Sequence, residues 1–277
     1  MMKNLVLGTV GLISFCLSAF AQMAVPQIEG KEVFKNDDVV FHQIDDHTWV
    51  GSGHLMASES LYLVDGNNKA LLIDAGTKIK DLDNIVATIT KKPVMLVATH
   101  VHPDHVGESI DVFPELYINQ ADTVNIPQFM PNYKGIVKYL KDGQVIDLGG
   151  RTIDVVFTPA HTPGSTTFID KAAGYGFSGD SFGSGNLLLT GDFSTLLATC
   201  QKMSSIMEKS GIKILYPGHY FGKNAETKQR VDDMAMISRD VLSGKLKGTA
   251  NPNGMMGLDQ LINLYGVRIN YNEKAIK

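Results

Sequence analysis

Residues 99–107 read Thr-His-Val-His-Pro-Asp-His-Val-Gly and follow directly on the apolar run Val94–Ala98. That run has the continuity of a buried strand, so the histidines sit at a strand end, where a rigid element presents a loop. Three imidazoles and a carboxylate within six residues, His100 to His105, have little use as packing. Protonated together, the rings would repel one another. A divalent transition metal resolves the conflict, because neutral imidazole nitrogens and a carboxylate oxygen make a mixed donor set suited to zinc. One loop cannot enclose two metals alone, and three other strand ends repeat the design. His161 lies in Thr-Pro-Ala-His-Thr-Pro-Gly after the strand-like Thr152–Phe157. Asp180 lies in Ser-Gly-Asp-Ser after Gly174–Phe177, and His219 in Pro-Gly-His-Tyr after Ile212–Tyr216.

Composition narrows the classes. Of 277 residues only two are cysteines, which excludes a four-cysteine zinc site and a disulfide scaffold. The 25 basic residues against 29 acidic ones leave no electrostatic footprint for nucleic acid, and none is expected as a partner. A hydrophobic content of 44% excludes disorder. Residues 1–21 read as a secretory signal: Lys3, then the apolar stretch Leu5–Phe20, then Ala19-Phe20-Ala21 as a small-x-small cleavage pattern. No other stretch is long and apolar enough to span a bilayer. The expectation is an exported chain, periplasmic or secreted, with no stable membrane span after cleavage, and with residues 22–277 forming a single domain. Oligomeric state is not readable. Its remaining thiol, Cys200, falls in a helical apolar stripe with Phe193, Leu196, Leu197, Met203 and Met207, so a core position is expected.

Along this chain, strand patterns at Val39–Phe41, Thr48–Val50, Leu61–Val64 and Ala70–Ile73 precede a helical stripe at Leu82, Ile85, Val86 and Ile89. Asp65-Gly66-Asn67-Asn68 marks a hairpin. Further strands are expected at Val145–Ile146, Thr152–Phe157, Thr166–Ile169 and Gly174–Phe177, and a helix over about Ala225–Leu242. The tail Gly244–Lys277, broken by Asn251-Pro252-Asn253-Gly254, reads as looser. Strands and helices alternate in two similar halves, an α/β chain with sheets covered by helices.

The HxHxDH stretch, followed in order by His161, Asp180 and His219, resembles the metallo-β-lactamase superfamily, and Leu71-Leu72-Ile73-Asp74-Ala75-Gly76 is similar to its first motif. The likeness runs from about Leu61 to Tyr220; Gly179-Asp180-Ser181-Phe182 also resembles glyoxalase II enzymes. It implies a four-layer αββα sandwich holding two zinc ions per chain. By the resemblance, His100, His102 and His161 hold one metal, Asp104, His105 and His219 the other, and Asp180 bridges them. Asp74 stands behind, orienting a ligand histidine.

The resemblance further implies hydrolysis by a shared metal-bound hydroxide, with Asp104 as a proton acceptor. A small-molecule substrate with an acyl bond is expected: an ester, thioester, lactone or β-lactam. Phosphodiester or sulfate-ester hydrolysis on the same site, and a mononuclear-iron dioxygenase, are the alternatives. Leu55 and Met56, in the loop Gly51–Ser58, are candidates to cover the substrate. His42, His47 and His54 are expected to be structural or solvent-facing.

Overall fold

The computed structural model describes residues 28–277; the signal segment read at 1–21 lies outside the described residues. Eight strands form the first sheet in sequential order. They are β1 (Glu32–Lys35), β2 (Val39–Asp45), β3 (Thr48–Gly53), β4 (Ser60–Asp65), β5 (Ala70–Ile73), β6 (Val94–Val97), β7 (Glu115–Ile118) and β8 (Ile136–Tyr139). β1 to β5 pair antiparallel, whereas β5 to β8 run parallel. The parallel half needs crossovers, and two helices lie within them: α1 (Leu82–Ile89) and the single turn α2 (Ile126–Phe129).

The second half supplies β9 (Val145–Asp147), β10 (Thr152–Phe157), β11 (Thr166–Asp170), β12 (Tyr175–Gly179), β13 (Leu187–Leu188), α3 (Phe193–Ser210), β14 (Ile214–Pro217), β15 (Glu226–Thr227) and α4 (Lys228–Leu242). The second sheet has the order β15-β14-β12-β11-β10-β9. α3 makes the crossover between β12 and β14, which pair in parallel. It is capped by Asp192, whose side chain accepts from Thr195 N at 2.8 Å, and it ends at left-handed Gly211. Phe193, Leu196, Cys200, Met203 and Met207 are its buried face, as the stripe predicts, and burial pushes the Cys200 thiol up.

The layering follows from which way each strand residue points. Along β4, Leu61 and Leu63 join a core with α1, whereas Tyr62 and Val64 join the core between the sheets. Along β10, Val155 faces the first sheet and Val156 faces α3 and α4. Strands buried on both faces must read as continuous apolar runs; β5, Ala-Leu-Leu-Ile, is buried throughout. Helix, sheet, sheet, helix is the order expected of the αββα sandwich.

Two sequence expectations need correction. The last helix begins at Lys228 rather than near Ala225, because Glu226 and Thr227 pair with β14 and the Thr227 hydroxyl caps the helix. The tail is not loose. β16 (Thr249–Ala250), β17 (Gln260–Leu264) and β18 (Val267–Tyr271) join β13 in a third sheet, and Ile262, Val267, Ile269 and Tyr271 bury against α3 and α4. Among the described residues, no helix is long and apolar enough to cross a membrane.

Candidate metal centre

β5, β6, β10, β12 and β14 all deliver their C-terminal ends to one edge of the sandwich. Asp74 follows β5, residues 99–105 follow β6, His161 follows β10, Asp180 follows β12 and His219 follows β14. Two groups of donor atoms result: His100, His102 and His161; and Asp104, His105, Asp180 and His219. Within each, the candidate ligand atoms lie within 4.8 Å of one another. In the first, His102 Nδ1 is 3.1 Å from His100 Nε2 and 2.9 Å from His161 Nε2. In the second, Asp104 Oδ2 is 3.3 Å from His219 Nε2 and 3.7 Å from His105 Nε2. Asp180 Oδ2 faces both, at 3.7 Å from His161 Nε2 and 3.5 Å from His219 Nε2.

The surrounding hydrogen bonds fix which ring nitrogen faces inward. A carbonyl only accepts, so His161 Nδ1–H donates to Leu188 O at 2.8 Å and His219 Nδ1–H to Ala57 O at 3.3 Å. His105 Nδ1–H donates to Asp74 Oδ2 at 2.7 Å. The Thr99 hydroxyl gives its proton to Asp74 at 2.8 Å and stands 3.1 Å from His100 Nδ1, whose N–H it accepts. His100, His105, His161 and His219 therefore turn Nε2 into the site, whereas His102 presents Nδ1. Asp74, in a left-handed backbone conformation (φ 63°) immediately after β5, orients His105 directly and His100 through Thr99.

These donors fit a pair of divalent ions. His105 Nε2 and Asp180 Oδ1 are buried with no hydrogen-bond partner, a costly state for a polar atom unless a cation completes it. Nitrogens bound at roughly 2.0–2.1 Å to one tetrahedral zinc stand about 3.3 Å apart, close to the spacing in the first group. Burial and the neighbouring rings push His100 well below its ordinary range and His102 down to about 4, keeping both neutral. In the second group burial works downward on His219, but Asp180 and Asp104 outweigh it and carry it up to about 10. Burial alone would raise Asp180; the imidazoles of His219 and His105 hold it well below the usual carboxylate range.

Two close approaches explain small residues here. A Cβ on Gly218 would lie 2.3 Å from Asp180 Oδ1 and 2.7 Å from His105 Cε1. One on Gly164 would lie 2.6 Å from Asp122 Cγ. Asp122, which sequence reasoning missed, accepts from Val101 N at 2.8 Å, Thr162 Oγ1 at 2.9 Å and Gly164 N at 2.6 Å. It ties the His100–His105 loop to the His161 loop. Its sequence signal, Asn119 capping the turn that carries it, was present but pointed to no chemistry.

The centre opens on a cavity of about 720 Å3. His102, Asp104, His161, Asp180 and His219 form its polar side, and Met56, Phe129, Leu188, Phe221, Met255 and Met256 its apolar side. Leu55, although half-exposed, is not part of the wall. No lysine or arginine lines the cavity among the described residues. Away from it, His42 is half-buried, His47 is exposed, and His54 bonds Asp37 O at 2.6 Å.

The family model described as the metallo-beta-lactamase superfamily matches residues 58–219, spanning the strand ends that carry both donor groups. The chain belongs to that superfamily. It is a metal-binding hydrolase of the metallo-β-lactamase fold. The acyl-coenzyme A thioesterase MBLAC2 of Gallus gallus is 25% identical over 234 residues, covering 67% of this chain and 84% of that protein. MBLAC2 of Homo sapiens is 26% identical over 208 residues, covering 60% and 75%. Among solved structures, a metallo-beta-lactamase from Pontibacter korlensis superposes with a TM-score of 0.57 at 18% identity, covering 73% of this chain and all of that one. A second, from Erythrobacter litoralis, gives 0.58 at 15% identity, covering 75% of this chain and 99% of that one. These two superpositions show the superfamily's fold.

Proposed function

We propose that this metallo-β-lactamase-fold hydrolase is an exported enzyme holding two zinc ions per chain and cleaving an acyl bond, an ester or thioester, in a small molecule. One observation carries the reading: two convergent donor groups share Asp180 Oδ2 at the floor of a largely apolar cavity without lysine or arginine. A pair of zinc ions supplies Lewis acidity toward a carbonyl oxygen and acidifies water to near neutrality. The chain's own residues do the rest. Asp104 lines the cavity and accepts the proton of the attacking water. Asp74 and Thr99 hold two imidazoles in the orientation described above. Met56, Phe129 and Phe221 keep bulk water from the reacting carbonyl.

A wall without lysine or arginine bears on substrate class. A phosphodiester, a sulfate ester or a β-lactam carboxylate brings an anion that finds no lysine or arginine in the lining. The relatives named acyl-coenzyme A thioesterases support acyl cleavage. Export rests on Lys3, the apolar stretch and Ala19-Phe20-Ala21; the mature chain would begin at Gln22, which intact-mass measurement of protein from the culture fluid or periplasm checks.

The test is a hydrolysis panel of acyl esters, thioesters, lactones, β-lactams, phosphodiesters and sulfate esters, each with and without a chelator. Chelator-sensitive turnover concentrated on esters or thioesters is expected. Turnover confined to phosphodiesters or sulfate esters would overturn the acyl assignment, and chelator-resistant turnover would overturn the metal dependence.

A further inference from the structure

Three methionines reach the cavity from two loops remote in sequence. Met56 comes from the β3–β4 connection, and Met255 with Met256 from the β16–β17 connection. All three remain accessible, at 43%, 63% and 54% of their full exposure. Large apolar side chains grouped around one opening, rather than scattered singly, mark a surface that something apolar covers. The backbone beneath them points the same way. Seven non-glycine residues of the described chain take positive φ, and Ala57, Ser58, Ser184 and Met256 are four of them. Ala57, Ser184 and Met256 line the cavity and Ser58 adjoins it. Left-handed backbone is disfavoured for residues with a Cβ, so its concentration here is strain held at a binding mouth.

We propose that Met56, Met255 and Met256 are specificity-determining side chains that seat the apolar acyl chain of the substrate, with its carbonyl directed to the edge where Asp104 and Asp180 would hold the metal pair. The inference rests on the acyl-hydrolase reading and makes it specific: the preferred acyl group is a straight, uncharged hydrocarbon chain. Methionine suits that task, since an unbranched thioether adapts to chains of different length. The absence of lysine and arginine from the lining excludes a carboxylate at the far end of the acyl chain as a preferred feature. The C-terminal segment, outside the matched family region of 58–219, thereby becomes part of the substrate site.

Two measurements on the metal-loaded protein test this. The first is kcat/KM across p-nitrophenyl esters from acetyl to decanoyl. It should rise up to about fourfold for each added methylene until the cavity is filled. The second is calorimetric binding of two uncleavable probes, the ethyl and decyl thioethers of N-acetylcysteamine. The decyl probe should bind at least about tenfold more tightly. The double variant Met255→Ser, Met256→Gly, whose glycine keeps the left-handed backbone, should lose most of both differences. Met56→Ser, on the other loop, should reduce them separately. Equal binding of the two probes by the native protein, or unchanged chain-length dependence in both variants, would overturn the inference. Length-dependent probe binding without ester or thioester turnover would instead overturn the acyl-hydrolase reading and leave the methionine seat standing.

Discussion

At each candidate ligand imidazole, the protonation state decides whether a metal can compete for its lone pair. His100 and His102 are held low, the latter at about 4, so these two rings are neutral at neutral pH. His219 is carried up to about 10, and His105 also lies above its usual range despite burial, because Asp74 and Asp104 outweigh it. Metal entering the second group must displace those protons. The sign follows: below about pH 10, apparent affinity there falls about tenfold per pH unit for each proton displaced. In the first group His102 keeps its lone pair unprotonated until the pH nears about 4. Dialysis at stepwise lower pH, followed by metal analysis, should remove one ion from the second group while the first remains occupied. Loss of both in a single step would contradict the assignment.

The elements matter because they bring loops from five strand ends together, and Asp122 is where two of those loops are joined. Asp122→Ala leaves Val101 N–H, Gly164 N–H and the Thr162 hydroxyl without their acceptor. The expected loss is about 3 kcal/mol in denaturant unfolding, with lower occupancy of the first group and a smaller effect for Asp122→Asn. A native midpoint and full metal content in the alanine variant would refute the clamp. This contrast also marks what the sequence could reveal. The histidines and Asp180 were legible because each follows an apolar strand and has chemistry of its own. Asp122 acts only through what it holds, and nothing local to residues 119–125 names Val101 or Thr162 as its partners. Met255 and Met256, between Gly254 and Gly257, have the same local pattern as Met56 beside Ala57 and Ser58: exposed apolar residues next to small ones. Asn251-Pro252-Asn253-Gly254 beside them hides the strands that fix their position.

At the scale of the molecule, the sandwich was legible from runs such as Ala70–Ile73, apolar throughout because both faces are covered. The third sheet was not, since β16 and β13 are only two residues long each and β13 pairs with the remote β18, Leu187 against Ile269. That sheet closes the core over α3 and α4, and Tyr271 packs edge-on against Phe193 at 5.0 Å, so a chain ending at Ser243 uncovers Phe193. Such a truncation should lose cooperative unfolding, as followed by circular dichroism; a cooperative transition at the native midpoint would show the tail to be dispensable. The fold's central consequence is the pairing of two donor groups at one edge. Metal analysis of protein purified without added metal, with His161→Ala and His219→Ala alongside, tests it most directly. The account predicts two zinc ions per native chain and close to one in each variant. A single iron per chain with oxygen consumption, or no stoichiometric metal at all, would contradict it.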